Sequence, residues 1–184
     1  MKAETHPEPQ RELIESLKAG DDSAFKDIYA LYKDRVHSLC LHMVSSSDDA
    51  SELTQRIFVK LLAAAYLFEH RSSFSTWLYR LSMNVCYDYI RMKKKERTIT
   101  LDDLPSETLS EEQHDTIDIS QTVQDALQLL KPKLRIVMIL KYVEDLSYAE
   151  IAEVVGCSVG TVGSRLNRGH KFLAKKLAYL KDAL

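Results

Sequence analysis

From Arg165 to Lys181 the chain carries six basic residues and no acid. Placed on a helix, Val162, Leu166, Leu173 and Leu177 share one side. Thr161, Ser164, Arg168, Lys171 and Lys175 lie largely on the other, with Arg165 at the border. A guanidinium can grip a guanine edge with two hydrogen bonds, and lysine ammoniums neutralise phosphates, so such a helix suits the major groove of a duplex. The competing reading is the solvated basic face of a structural helix. The residues just before it decide between the two. In SYAEIAEVVGCSVGTVGSRLNR (residues 147–168), Ser147 and Glu150 have the spacing of a capping box, which starts a helix sharply. Ala152 is small where two helices must approach, and Gly156, four residues on, can adopt the left-handed conformation that ends a helix. Ser158 can cap the second helix, and Val162 then points inward against the first. Together these features specify a helix-turn-helix that presents its charged second helix outward, which favours DNA binding.

A second set lies near residue 80. Arg80, Asn84, Tyr87 and Arg91 recur at steps of 4, 3 and 4, on a helical face beside the apolar stripe Leu78, Leu81, Val85, Tyr89 and Met92. Phe74, Trp77 and Tyr79 lie around that face, Ser75 and Thr76 open the segment, and Arg91, Lys93, Lys94, Lys95 and Arg97 form a basic tail. Cations that track a phosphate backbone beside aromatic faces suit stacking on unpaired bases. Packing is the bland alternative for the aromatics, and Trp77 can serve both ends.

Other chemistry is weakly supported. His37, Cys40 and His42 form an H-x-x-C-x-H cluster, but on a helix residue 42 points away from 37 and 40, and structural zinc wants four ligands. No metal or other cofactor is expected. Asp48, Asp49 and Glu52 lie at a helix start, where acids complement the dipole, with no nucleophile or histidine placed beside them. The chain has neither a phosphate-cradling glycine loop nor a G-x-S-x-G elbow, so no catalytic residue is assigned.

The elements that must position these residues are helices. The chain has only 5 Gly and 4 Pro in 184 residues, and no segment longer than a few residues alternates with period two. Residues 98–120 hold seven acids and no base, while residues 121–184 hold ten bases and six acids, a contrast that the net charge of −2 conceals. The acidic stretch, interrupted by Pro105, reads as an extended, self-repelling linker. The expected fold is therefore all-α, with a four-helix domain (residues 10–97), an acidic linker (98–120) and a helical domain (121–184). Helices are expected over 11–19, 23–44, a segment capped by Asp48 or Asp49 and running to Phe68, and 75–95, then 120–130, 133–143, 147–155 and 159–180. Cys40, Cys86 and Cys157 read as reduced, mostly buried thiols. Without a signal-peptide core in MKAETHPEPQ or a bilayer-length apolar run, the chain is expected in the cytoplasm, with no stable membrane insertion.

Three blocks, in order, resemble one family. FSTWLYRLSMNVCYDYIR (Phe74–Arg91) is similar to the F-x-x-W-L-x-R-[IL]-x-x-N-x-x-x-D-x-x-R pattern of the extracytoplasmic-function (ECF) group of bacterial sigma factors. DDASELTQRIF (Asp48–Phe58) resembles their D-A-x-D-L-x-Q-x-x-F segment. LKPKLRIVMILKYVEDLSYAEIAEVVGCSVGTVGSRLNRG (Leu130–Gly169) resembles their C-terminal signature. The resemblance spans about residues 10–175. It implies that the N-terminal domain is sigma region 2, which grips the β′ clamp helices of core RNA polymerase through Asp49, Glu52 and Gln55. The same domain would recognise the −10 promoter element around Ser75, Thr76, Trp77, Arg80, Asn84, Tyr87 and Arg91. It also implies that the C-terminal domain is region 4. That domain would read the −35 element through Thr161, Ser164, Arg165, Arg168, Lys171 and Lys175 and bind the β flap. An anti-sigma factor is a common partner in that family. The residues by themselves also fit a transcription regulator of another kind, built on the same helix-turn-helix, or an adaptor that docks on polymerase without touching DNA.

Some positions depart from the family pattern. Glu52 replaces the usual Asp, Arg56 stands where an acid is common, Lys131 replaces a leucine, and Gly163 stands where Lys or Arg is frequent. Glycine inside a helix costs about 1 kcal/mol and forfeits a side-chain contact to DNA. Gly163→Arg is therefore expected to change affinity across a panel of −35 variants; identical affinities for wild type and variant would refute a role for this position.

Overall fold

The computed structural model describes residues 8–100 and 119–178, and all regular structure among them is helical. In the N-terminal domain, α1 (Arg11–Lys18) leads into α2 (Asp22–Val44), α3 (Ser47–Ala64), a single 3-10 turn (Ala65–Leu67) and α4 (Phe74–Thr100). Asp21 caps α2 by accepting hydrogen bonds from Ser23 N (2.7 Å) and Ala24 N (3.3 Å). The cap of α3 is Ser46, whose hydroxyl accepts from Asp49 N at 3.2 Å, and not Asp48 or Asp49. Those two acids lie in the first turn, where their charge meets the positive end of the helix dipole.

The core is the meeting of the stripes that the spacing picks out. Ile28, Tyr32, Val36, Leu39 and Met43 of α2 are buried against Leu53, Ile57 and Leu61 of α3 and Phe74, Leu78 and Val85 of α4. Ile14 and Leu17 of α1 belong to the same cluster. Met92, assigned to the inward stripe of α4, is instead exposed, because by that point the helix has run past the body it packs on. Helix α4 also continues to Thr100, through the first three residues assigned to the linker. At its other end the assigned linker overlaps α5, which begins at Ile119, and the expectation that the acidic segment is extended otherwise concerns residues 101–118, which lie outside those described.

The C-terminal domain consists of α5 (Ile119–Gln128), α6 (Pro132–Tyr142), α7 (Tyr148–Val155) and α8 (Val159–Lys176). Pro132 occupies the first turn of α6, where its missing N–H removes no helical bond. Five consecutive residues, Ile136–Leu140, are buried, since α6 has α2 on one side and α7 and α8 on others. Gly169 lets α8 come close: a Cβ there would lie 2.8 Å from Met138 Sδ. The two domains are in contact, through α2 with α5 and α6 and through α4 with α7.

Gly156 ends α7 at φ +68°, a conformation that costs a residue with a Cβ about 1–2 kcal/mol. Gly156→Ala has no steric neighbour to offend, so the strain is purely backbone. The variant is expected to lower the unfolding free energy by that amount, read as a lower urea midpoint at an unchanged slope; an unchanged midpoint would contradict the left-handed turn.

Candidate nucleic-acid interface

The turn between α7 and α8 is built as its sequence requires. Ser147 Oγ accepts from Glu150 N (3.2 Å), and Glu150 Oε2 accepts from Ser147 N (2.8 Å), closing the capping box. Ser158 caps α8 by accepting from Thr161 N at 3.2 Å, and its hydroxyl meets that of Thr161 at 2.9 Å. Val162 and Leu166 are buried against α7 and α6, which fixes the rotation of α8. Ser164, Arg168, Lys171 and Lys175 consequently face outward and are exposed. Arg168 bends back over its own helix, with Nε donating to Ser164 O at 3.3 Å. Thr161 and Arg165 are half-buried. At Gly163 an added Cβ would meet only the Tyr148 ring at 3.8 Å, so the position has room for a side chain.

On α4 the stepped face holds together. Arg80, Asn84 and Arg91 are exposed and Tyr87 is half-buried. Trp77 is half-buried in an aromatic cluster, its ring 5.5 Å from that of Phe68 and 5.7 Å from that of Phe74. Ser75 and Thr76 are buried at the start of the helix. There Ser73 Oγ accepts from Thr76 N (3.0 Å), contacts Ser75 Oγ (2.9 Å) and donates to Thr76 Oγ1 (2.8 Å). The carboxylate of Glu8 completes that end, accepting from Phe74 N through one oxygen and from Ser75 N (3.2 Å) through the other. On α3, Glu52 and Gln55 are exposed and Asp49 is half-buried, and Glu52 pairs with Arg56 at 3.5 Å.

Both candidate DNA faces open onto one cleft between the domains, of about 960 Å³, with Tyr87, Arg91 and Lys94 on one wall and Thr161, Arg165 and Arg168 on the other. Lys131 and Lys133 add further positive charge to its lining. Burial pushes the Tyr87 phenol up to about 12, against the opposing pull of the Arg165 charge. Tyr87 Oη and Arg165 Nη1 are buried without a hydrogen-bond partner among the described residues.

The polar contacts that hold this arrangement were not foreseen from the sequence. Tyr79 Oη donates to Glu144 at 2.5 Å, and Arg35 lies 3.8 Å from the same carboxylate, which is only 4% exposed. Arg135 donates to Met43 O, Gln124 to Leu41 O (2.7 Å) and Gln128 to His42 O (3.0 Å). One signal was available: Arg135 directly precedes the apolar run Ile136–Leu140, an unusual neighbour for an unpaired charge. The His37, Cys40 and His42 cluster disperses. Cys40 is buried with its sulfur 3.9 Å from that of Cys86, His42 Nδ1 lies 2.7 Å from Ser38 O, and His37 Nε2 lies 3.5 Å from Ser51 Oγ. Among the described residues no three ligating side chains converge on a metal position.

Residues 28–96 match the family described as sigma-70 region 2, and residues 120–173 that described as sigma-70, region 4. The chain is 34% identical over 176 residues to the ECF RNA polymerase sigma factor SigW of Bacillus subtilis, covering 89% of this chain and 94% of that one. It is 30% identical over 183 residues to the ECF RNA polymerase sigma-E factor of Escherichia coli, covering 90% and 92%. Among solved structures, it resembles the sigma factor RpoE in complex with the anti-sigma factor NepR from Bartonella quintana, with a TM-score of 0.68 and 26% identity over 84% of this chain and 96% of that one. Two matched regions in the right order and these full-length likenesses place the helix-turn-helix and the aromatic-cationic α4 in one context: the chain belongs to the ECF group of RNA polymerase sigma factors, the initiation subunits that direct core polymerase to promoters.

Proposed function

We propose that each domain supplies one promoter contact and that the chain itself performs no catalytic step. Helix α8 enters the major groove of the −35 element, Arg168 gripping a base edge while Lys171 and Lys175 neutralise phosphates and Ser164 contacts the backbone or a base. Thr161 and Arg165, at its N-terminal side, join once the domains separate. The exposed face of α4 (Arg80, Asn84, Tyr87 and Arg91) follows the non-template strand of the −10 element. Extruding a base from the stack costs a few kcal/mol, and the segment around Trp77 returns it in stacking and hydrogen bonds. Ser75 and Thr76 act from beneath that surface by fixing the first turn of α4. Asp49, Glu52 and Gln55 meet the β′ clamp helices, and the C-terminal domain meets the β flap. The chain works in the cytoplasm with core polymerase, and an anti-sigma factor is its expected inhibitor, as for the sigma factor of Bartonella quintana.

One observation carries the reading: the doubly capped helix-turn-helix leaves Ser164, Arg168, Lys171 and Lys175 exposed on the helix that the motif presents. In reconstituted holoenzyme, Arg168→Ala is expected to weaken binding to −35 duplex by about 1–3 kcal/mol and to relax one base position. Equal weakening on duplexes with and without the −35 element would refute base readout. Asn84→Ala is expected to slow promoter opening while leaving closed-complex affinity nearly unchanged, as measured by stopped-flow fluorescence of a labelled −10 base. It is a cleaner probe than Trp77→Ala, which would also disturb the Phe68–Phe74 cluster. Loss of both steps in equal measure would argue against strand separation by this face.

A further inference from the structure

Between the 3-10 turn and α4 the chain passes through His70, which sits at φ +55°. A residue with a Cβ enters that region at a cost, and it stays there when its surroundings hold it. Two contacts hold His70. Its ring packs on Phe68 with centroids 4.7 Å apart, and its Nε2 donates to Glu15 Oε1 of α1 at 2.8 Å, across 55 positions of sequence. Phe68 is buried, and its ring lies 5.5 Å from those of both Phe74 and Trp77. Ring contacts therefore connect the Glu15–His70 pair to the aromatic side chain at the head of the single-strand face.

The charges around the pair favour it. Lys18, one turn along α1, lies 3.1 Å from the same Glu15 oxygen. The hydrogen bond from His70, and after it that from Lys18, hold the Glu15 carboxyl below the usual carboxylate range. The charged neighbours of His70 in its own turn, Glu69 and Arg71, pair with each other at 2.8 Å. Glu15 itself lies on α1, apart from every residue assigned to DNA or polymerase.

We propose that Glu15 is a positioning residue for the surface that opens promoter DNA: by bonding His70 it keeps the turn before α4 left-handed and Phe68 seated against Trp77. The inference rests on the strand-opening reading of α4 given above but is judged separately from it. The side chains of His70 and Glu15 are 29% and 49% exposed, so truncating Glu15 leaves no cavity and removes a modest interaction. In reconstituted holoenzyme, Glu15→Ala is expected to slow promoter opening about two- to five-fold at an unchanged closed-complex affinity. The promoter is one selected by wild-type holoenzyme from a randomised library, with a fluorescent base in the −10 element. Glycine adopts positive φ unaided, so in a His70→Gly background Glu15→Ala should slow opening no further.

Trp77 is the chain's one tryptophan, so acrylamide quenching of its fluorescence in the free full-length chain reports on the cluster directly. Glu15→Ala should raise the quenching constant. Glu12→Gln, which removes an exposed charge from the same helix, should leave both quenching and opening as in wild type. Equal slowing by Glu15→Ala with His70 and with Gly at position 70, an unchanged quenching constant, or the same slowing from Glu12→Gln would each overturn the positioning role. A wild-type holoenzyme that opens no promoter would instead strike the strand-opening reading, and the quenching comparison would still judge the Glu15–His70 pair.

Discussion

The end of a helix leaves carbonyls that need hydrogen bonds from somewhere, and at the C-terminus of α2 they are met by another domain. Ser45, in the left-handed conformation, satisfies Leu41 O from within the chain's own turn, as helix ends commonly arrange. Gln124 of α5 gives that carbonyl a second bond, and those of His42 and Met43 accept from Gln128 of α5 and Arg135 of α6. Arg135 is nearly buried, and its guanidinium also donates to Gln128 O (2.6 Å) and Leu130 O (3.1 Å). It therefore ties together the α5–α6 turn of its own domain and the α2 terminus of the other. A buried charge without such partners would cost several kcal/mol. The two terminal nitrogens of Arg135 thus help to set α6 against α2, beside the apolar packing of Ile136–Leu140, while its Nε is buried without a partner among the described residues.

Polar contacts of this kind favour one arrangement over many more than they add raw stability. An apolar interface between α2 and α6 would tolerate sliding by a turn, whereas hydrogen bonds to three named carbonyls do not. Glu144 acts the same way at the far edge, in the turn after α6, where Asp145 adopts φ +49° and Leu146 is buried. Its carboxylate meets Tyr79 from the second turn of α4 and Arg35 from α2, so both long helices of the N-terminal domain are read by one residue of the other.

Most of the helices were legible because their apolar residues recur at helical spacing and their caps are written in Ser, Asp, Pro and Gly. The stripe on α2 from Ile28 to Met43 is buried as spaced, and the Ser147–Glu150 box and Gly156 behave as their types demand. Local signals failed where tertiary context intervened. Ser46 outcompeted the neighbouring acids as the cap of α3, and Met92 outran the core. Ser75 and Thr76, which the family resemblance assigns to the −10 surface, are buried and bonded at the start of α4. Contacts between the domains were illegible for a plain reason: Gln124, Gln128 and Glu144 look like ordinary surface residues until the partner carbonyls and hydroxyl are known. Periodicity says which side of a helix is apolar, but not which distant helix end it will meet.

The first turn of α4 draws on a residue far upstream. Glu8 lies 66 positions before Phe74, yet its carboxylate supplies the acceptors for the amides of Phe74 and Ser75. Likeness to sigma-70 region 2 begins only at residue 28, well after Glu8, Ile14 and Leu17. A fragment cut at that boundary would lose three core side chains, Ile14, Leu17 and Ala24, and strip two amides of their acceptor, directly beneath the aromatic cluster that holds Trp77. The physical unit that shapes this surface thus starts some twenty residues before the boundary that sequence similarity would draw, and any excised domain meant to bind single-stranded DNA needs that leading segment to present the surface intact.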